Sequence, residues 1–436
     1  MTGREAALFV LERCRREKAW AGAALDSIIR EEKVTEKDAA LASQLALGVL
    51  QNDSLLDYYL SGFYSGKLQP KLRDILRLGI YQILFMDKIP DHAAVSECVA
   101  LSRANGFGRA SGLVNAVLRR VSENKTNLPP VPGEGTAENL SIRFSHPLWL
   151  VKRLIAQQGY AFTAAFLASS HEKSPLELQI NTLRCEKEDY LRALTRIGVE
   201  YELPAFPQNG VTIPGGRITE LPGYEEGLFY VQDRAAAMAV EIAAPVPGMH
   251  VLDCCAAPGG KSFAAAIRMR DEGAVLARDI HEKKLSRVKS GAERLGLTCV
   301  RTSAADARTD DVRLHDAFNL VITDVPCSGM GVIRKRPEIR TKTEEEVAGL
   351  PLLQAEILRT AASYVKPGGT LLYSTCTVLR EENQDVVEAF LREHGDFAPQ
   401  SFSVGGRAAQ NGMYTFWPHI DGTDGFFAAK MKRAER

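Results

Sequence analysis

Gly248-Met-His-Val-Leu-Asp-Cys-Cys-Ala-Ala-Pro-Gly-Gly-Lys-Ser-Phe263 is the stretch that decides the fold. His250, Val251 and Leu252 read as a short buried strand, and Asp253 opens the turn that leaves it. Pro258-Gly259-Gly260 then feeds a small-residue helix from about Ser262 to Arg268. A strand that turns through glycines into a helix brings backbone N–H groups close to a ligand. In an open α/β sheet such a turn lies at the carboxyl edge, where ligands bind. A Walker A loop needs a glycine where Cys255 stands, and the dinucleotide G-x-G-x-x-G is absent. A tight turn without a ligand is the remaining alternative.

Working outward, the chain from Val231 onward alternates strand and helix. Strands are expected at His250–Leu252, Ala274–Ala277, Cys299–Thr302, Phe318–Thr323 and Thr370–Tyr373, the pattern of a doubly wound, mostly parallel sheet. Two more strands, around the Gly-rich turn within 414–431, would close that sheet with an antiparallel hairpin. Such a closure fits class I methyltransferases better than nicotinamide-binding Rossmann domains.

The unusual residues fall at strand ends. Asp253, Asp279, Asp324 and Cys376 each lie at or just past one, and Asp306 lies in the loop after another. Those ends line one edge of the sheet, so distant residues converge on one crevice. Asp279, about 20 residues after the glycine turn, stands where a carboxylate accepts ribose hydroxyls; a solvated helix cap is the alternative. Asp306 suits an adenine amino group, or again a cap. A glycine turn with two acids suggests an adenosyl ligand, and the missing dinucleotide fingerprint points to S-adenosylmethionine. Cys327, in Asp324-Val-Pro-Cys-Ser-Gly-Met-Gly331, and Cys376, in Ser374-Thr-Cys-Thr377, follow two of these strands. One cysteine there would usually be a packed small hydrophobe. Two facing one crevice suggest thiolate chemistry. Carbon 5 of a pyrimidine is too weak a nucleophile to take a methyl group unaided. Thiolate addition at carbon 6 makes carbon 5 enamine-like, and loss of the carbon 5 proton then lets the thiol leave.

Upstream, Leu176–Asn181 alternates as a strand, a helix is expected near Glu188–Ile197, and short strands follow to about Tyr230. Together they make a small α+β (RRM-like) domain over 141–230 that would help hold a polynucleotide. Three prolines and two glycines between Thr126 and Leu140 mark a linker. Residues 1–125 read as all helix: Leu72, Ile75, Leu76, Gly79, Ile80, Ile83 and Leu84 form an amphipathic stripe. Arg103, Arg109, Arg119, Arg120 and Lys125 give its end a basic flavour, though ordinary solvated charges would look the same. The expected division is thus 1–125, a linker at 126–140, 141–230, and a catalytic domain at 231–436.

Composition excludes several classes. The 436 residues, 45% apolar and 25% charged, suit a multidomain globular protein. Net charge is zero, so a nucleic acid would be held by a local basic face. No apolar run marks a signal peptide or spans a bilayer. The eight cysteines show neither a disulfide framework nor zinc spacing. A reducing, cytoplasmic setting is the expectation, with no metal and no membrane partner.

Three motifs together carry a resemblance. Asp253-Cys-Cys-Ala-Ala-Pro-Gly-Gly-Lys-Ser262, Asp324-Val-Pro-Cys-Ser-Gly-Met-Gly-Val-Ile-Arg-Lys-Arg-Pro-Glu-Ile-Arg340 and Tyr373-Ser-Thr-Cys-Thr377, followed by Glu381-Glu-Asn-Gln-Asp-Val-Val387, resemble the Sun/NOL/NOP2 family of RNA 5-methylcytosine methyltransferases. In front, the stretches 38–50, 76–84 and 114–120 resemble the RNA-binding helical domain of the NusB antitermination factor. That front end narrows the resemblance to bacterial members that methylate a cytosine of small-subunit (16S) ribosomal RNA. The resemblance implies that Cys376 is the nucleophile and Cys327 assists release. It places Cys255, Ala256, Ala257, Pro258, Gly259, Gly260, Lys261, Asp279, Asp306 and Asp324 at the S-adenosylmethionine site, with Asp324 also within reach of the base. The expected partner is ribosomal RNA, with its cytosine unpaired or flipped out, and the chain is expected to act as a monomer. Cys254, where the family often has a small residue, reads as a packed strand-end residue. The basic run Arg334–Arg340 is expected to contact phosphates. Two rivals stand beside this reading. A DNA cytosine-5 methyltransferase would use the Pro-Cys thiol as nucleophile, and a non-catalytic assembly or antitermination factor would keep the fold as a scaffold.

Overall fold

A computed structural model describes residues 1–435. By internal packing the chain divides into two compact units: Met1–Glu172 with Ile333–Glu344, and Lys173–Val332 with the chain from Glu345 onward.

The first unit is helical. The stripe read in the sequence lies on the helix Pro70–Phe85, with Leu72, Ile75, Leu76, Ile80 and Ile83 buried. Helices Gly3–Glu17, Glu36–Gln51, Asp91–Ala104 and Ser111–Glu123 bury their apolar faces in the same core. Residues 105–110, which include Gly106 and Gly108, separate the last two. Arg103, Arg109, Arg119 and Arg120 are exposed, while Lys125 pairs with Asp91 at 2.9 Å. Packing does not divide where the linker suggested. A helix at Ala137–Arg143 starts inside it, and helices Leu148–Gln158 and Tyr160–Ser169 stay with the helical unit. Tyr58 Oη donates to the Pro130 carbonyl at 2.9 Å, and the Leu55 amide to Ser145 Oγ at 3.2 Å.

Arg334–Arg340 requires a correction. Its segment folds into the helical unit, and Arg334 and Arg340 are 8% and 5% exposed. The Arg340 guanidinium donates to the Gln51, Phe144 and Ser170 carbonyls at 2.8, 2.8 and 3.2 Å. Those carbonyls end the helices Glu36–Gln51, Ala137–Arg143 and Tyr160–Ser169. Helix C-termini carry partial negative charge, so a cation satisfies three of them at once. Burial lowers the Arg340 pKa to about 9. Arg340 therefore cross-links helices and is not a phosphate contact. Arg336 stays exposed, its guanidinium 4.5 Å from the Trp20 ring centre.

The second unit begins with β1 (Leu176–Ile180), β2 (Gly210–Ile213) and β3 (Phe229–Val231). They form an antiparallel sheet in the order β2-β1-β3, accompanied by the helix Lys187–Arg196. The larger sheet contains β4 (His250–Asp253), β5 (Ala274–Asp279), β6 (Val300–Ala304), β7 (Phe318–Asp324) and β8 (Val365–Thr375), all parallel. After the short strands β9 (Phe397–Pro399), β10 (Phe402–Val404) and β11 (Arg407–Ala409) come β12 (Met413–Phe416) and β13 (Phe426–Arg433). These last two form the expected antiparallel hairpin, giving the order β12-β13-β8-β7-β4-β5-β6. Alternate residues feed two cores. Val251, Leu320, Ile322 and Leu372 face one, and Leu252, Val321, Leu371 and Tyr373 face the other. Burial on both faces explains the continuous apolar runs. The chain runs outward from β4 through β5 and β6, then returns to β7 on the other side. The carboxyl ends of β4 and β7 are therefore the topological switch point. Among the described residues, no helix is long and apolar enough to cross a membrane.

Candidate active site

Asp253 ends β4, is 1% exposed, and accepts Ser262 Oγ at 2.7 Å through Oδ2. Its Oδ1 is buried without a hydrogen-bond partner among the described residues. Burial, opposed by Ser262 and Lys261, raises its pKa to about 7. Residues 254–259 make the turn, and the helix Gly260–Arg268 follows. Gly259 is required there: its φ is +114°, and a Cβ would lie 2.4 Å from the Phe263 ring. Cys254 is buried, and burial pushes its thiol pKa up, in keeping with a packed residue.

Asp279 ends β5. Its carboxylate accepts the Ala257 amide at 3.3 Å and the His281 amide at 2.9 Å, so it braces the glycine turn. The Ala305 amide donates to the Asp279 carbonyl at 3.1 Å, which brings the loop after β6 alongside. Within that loop Asp306 is held by Arg308 at 2.6 Å, and this bond lowers its pKa. The Lys261 ammonium reaches Asp324 Oδ2 at 2.6 Å. It thus joins the glycine turn to the end of β7.

Neighbouring ends of β7 and β8 carry the two cysteines. The parallel register sets Asp324 opposite Ser374. Ser374 Oγ donates to Asp324 Oδ1 at 2.9 Å, and the Val325 amide to the Ser374 carbonyl at 3.1 Å. Further on, Ser328 Oγ meets Thr377 Oγ1 at 2.8 Å, and the Gly331 amide donates to the Cys376 carbonyl at 3.0 Å. These bonds zip the loops together and leave the Cys327 and Cys376 sulfurs 3.1 Å apart. The hydrogen bond with Cys376, then burial, then nearby negative charge push the Cys327 pKa well up. Cys327 therefore holds its proton beside Cys376.

The structure thus draws Cys255–Lys261, Asp279, Asp324, Cys327 and Cys376 to one sheet edge, with Asp306 on the adjoining loop. Sequence reasoning missed Ser374, Ser262 and Gln354, whose Nε2 donates to the Pro326 carbonyl at 3.0 Å, as supports. Ser374 was recoverable, since pairing the two strand ends in register sets it against Asp324. No metal-binding cluster occurs among the described residues.

A parallel sheet reversing at its switch point, closed by an antiparallel hairpin and carrying a glycine turn braced by a strand-end acid, defines a class I methyltransferase. More particularly, the chain belongs to the RsmB/F family of 16S rRNA methyltransferases, whose model matches residues 240–432. Residues 1–123 match the NusB family, and residues 146–217 the ferredoxin-like domain of RsmF/B-like proteins. The probable ribosomal RNA small subunit methyltransferase B of Bacillus subtilis is 34% identical over 99% of this chain and 98% of its own. Its namesake from Synechocystis is 32% identical over the whole of both chains. The crystal structure of PH0851 superposes with a TM-score of 0.84 at 25% identity, covering 99% of each chain.

Proposed function

We propose that this protein methylates carbon 5 of a cytosine in small-subunit ribosomal RNA, with S-adenosylmethionine as donor. The observation that carries the reading is the pair of thiols 3.1 Å apart at the ends of β7 and β8, beside the glycine turn. The substrate class is taken from the named relatives.

The residues present fit the donor. Gly259, at a φ of +114°, lets the backbone of the turn approach a ligand without a side chain in the way, and the Asp279 carboxylate keeps acceptor capacity beyond its two amide bonds. Residues Cys255 to Lys261, Asp279, Asp306 and Asp324 would hold it, and when bound it supplies a methyl group on a sulfonium. Cys376 adds to carbon 6 of the cytosine, which makes carbon 5 nucleophilic. Cys327 Sγ, 3.1 Å from Cys376 Sγ, stands close enough to act at the same base. Asp324, fixed by Lys261 and Ser374, presents its carboxyl group to the base. After methylation Cys327, once it has released its own proton to solvent, takes the carbon 5 proton; the carbon 5–carbon 6 double bond re-forms and Cys376 leaves carbon 6 as the thiolate.

The test is methyl transfer from labelled S-adenosylmethionine to unmodified small-subunit ribosomal RNA. Cys376→Ala is expected to lose about 10⁴-fold or more in rate and to form no adduct. Cys327→Ala is expected to accumulate a denaturation-resistant protein–RNA adduct. An adduct from Cys376→Ala instead would reverse the roles, as in a DNA-type enzyme. A wild type that binds the donor yet transfers nothing would favour a scaffold.

A further inference from the structure

Two adjacent residues outside the thiol loops touch both of them. Glu382 and Asn383 are 1% and 0% exposed and lie just beyond the Cys376 loop. Glu382 Oε2 accepts the Ser328 amide at 2.9 Å and Gln354 Nε2 at 2.8 Å. The same Gln354 nitrogen donates to the Pro326 carbonyl at 3.0 Å. Pro326 and Ser328 are the two neighbours of Cys327. Asn383 does the same for the other thiol. Its Oδ1 accepts Thr375 Oγ1 at 2.6 Å, and its Nδ2 donates to the Thr377 carbonyl at 2.9 Å. Thr375 and Thr377 are the two neighbours of Cys376. The clamp is itself anchored, since Tyr373 Oη donates to the Glu382 carbonyl at 2.6 Å.

We propose that Glu382 and Asn383 are positioning residues that set the spacing of the two thiols, each gripping one cysteine loop from both sides. This rests on the reading of Cys376 and Cys327 as the reacting groups. The physical need is plain. Glu382 Oε2 and both polar atoms of the Asn383 side chain are bonded, while Glu382 Oε1 is buried without a partner among the described residues. A misplacement of about 1 Å in a reacting group can cost about 100-fold in rate. A backbone amide and a side-chain amide converging on one buried carboxylate oxygen form a stiff joint. Because the two grips come from consecutive residues, the loops cannot shift independently.

The test uses the full chain and two readouts. The first needs no RNA: diamide oxidises Cys327 and Cys376 to a disulfide, and peptide mapping follows its rate. Asn383→Ala and Glu382→Ala are expected to slow that rate about 10-fold, while Glu382→Gln, which keeps an acceptor for the Ser328 amide, stays within about 3-fold. In the second readout, kcat for methyl transfer falls about 100-fold with KM for RNA and Kd for S-adenosylmethionine within about 2-fold. Thr375→Val removes one arm only and replaces Asn383→Ala if that variant does not fold; a slowing of about 3-fold is expected. Folded variants with unaltered oxidation rate and kcat would overturn the proposal, as would loss of donor binding in parallel with kcat. Slowed oxidation in a protein without methyl transfer would sink the methyltransferase reading and leave the clamp standing.

Discussion

Each unit buries an ionisable group that water would otherwise solvate, and the two solve the problem in opposite ways. Arg340 cannot readily discharge, so the helical unit surrounds its guanidinium with the carbonyl ends of three helices. Asp253 can take up a proton, and the catalytic sheet leaves one of its oxygens without a partner. The first is a cross-link whose two terminal nitrogens are both bonded, with Nε buried and without a partner among the described residues. The second is a buried carboxyl group, favoured in its protonated form, at a strand end beside the glycine turn. The difference shows where the chain was built for stability and where it was left poised.

The sharpest way to break the comparison is Arg340→Met. It keeps the apolar stem but strips donors from the Gln51 and Ser170 carbonyls, while the Phe144 carbonyl keeps the His146 and His171 ring nitrogens within 3.0 Å. With about 1–3 kcal/mol for each orphaned buried group, a loss of roughly 3–5 kcal/mol is expected. Urea unfolding followed by tryptophan emission reads this unit well, since Trp20 and Trp149 of the three tryptophans belong to it. Arg340→Lys should recover less than half, because one ammonium cannot span three helix ends. A loss below about 1 kcal/mol would mean that water replaces the guanidinium without penalty.

Arg340 also marks the limit of what the sequence discloses. As a sequence, Arg334–Arg340 is a charge run, and a charge run reads as surface. Its burial is decided by helix ends at 51, 144 and 170, far away along the chain. The sheet was legible for the converse reason. Apolar runs bounded by glycines and acids locate strand ends locally, and those ends gather Asp253, Asp279, Asp324, Cys327 and Cys376. The errors there are small and physical. The strand expected at Cys299–Thr302 runs over Val300–Ala304. The one expected at Thr370–Tyr373 starts at Val365, because Pro367-Gly368-Gly369 occupies a register irregularity and not a turn. The grips of Glu382 and Asn383 stayed hidden because they depend on contacts across 54 and 8 residues that no periodicity encodes.

Acidity should separate the two units. Asp253 is raised from 3.8 to about 7, so its protonated form is the one the fold favours. The stability tied to that proton is fully present below pH 3.8 and is lost as pH rises towards 7. The shift corresponds to at most about 4 kcal/mol. Asp253→Asn, which still accepts Ser262, should therefore stabilise the catalytic unit at pH 8 and not at pH 4. His171 runs the other way. Burial and the Arg340 charge lower it from 6.5 to about 4, so the helical unit loses stability as pH falls from 6.5 towards 4. Hydrogen exchange corrected for intrinsic rates, compared at pH 8 and pH 5, should show protection moving in opposite directions in the two units. Equal slopes would show that neither group controls its surroundings.

The smallest expected effect concerns Arg336, the exposed counterpart of Arg340 four residues earlier. Its guanidinium lies 4.5 Å from the Trp20 ring centre, a contact worth about 0.5–1 kcal/mol at an exposed site. Arg336→Ala should cost the helical unit no more than that. If this guanidinium contacts an RNA phosphate, the same change weakens RNA binding a few-fold and lowers the salt slope by about 1. Arg340→Met should leave the salt slope unchanged, since a guanidinium enclosed by helix carbonyls releases no counterions. Filter binding at several salt concentrations separates the two arginines. An altered slope for Arg340→Met with a normal one for Arg336→Ala would restore the basic run to the role its sequence first suggested.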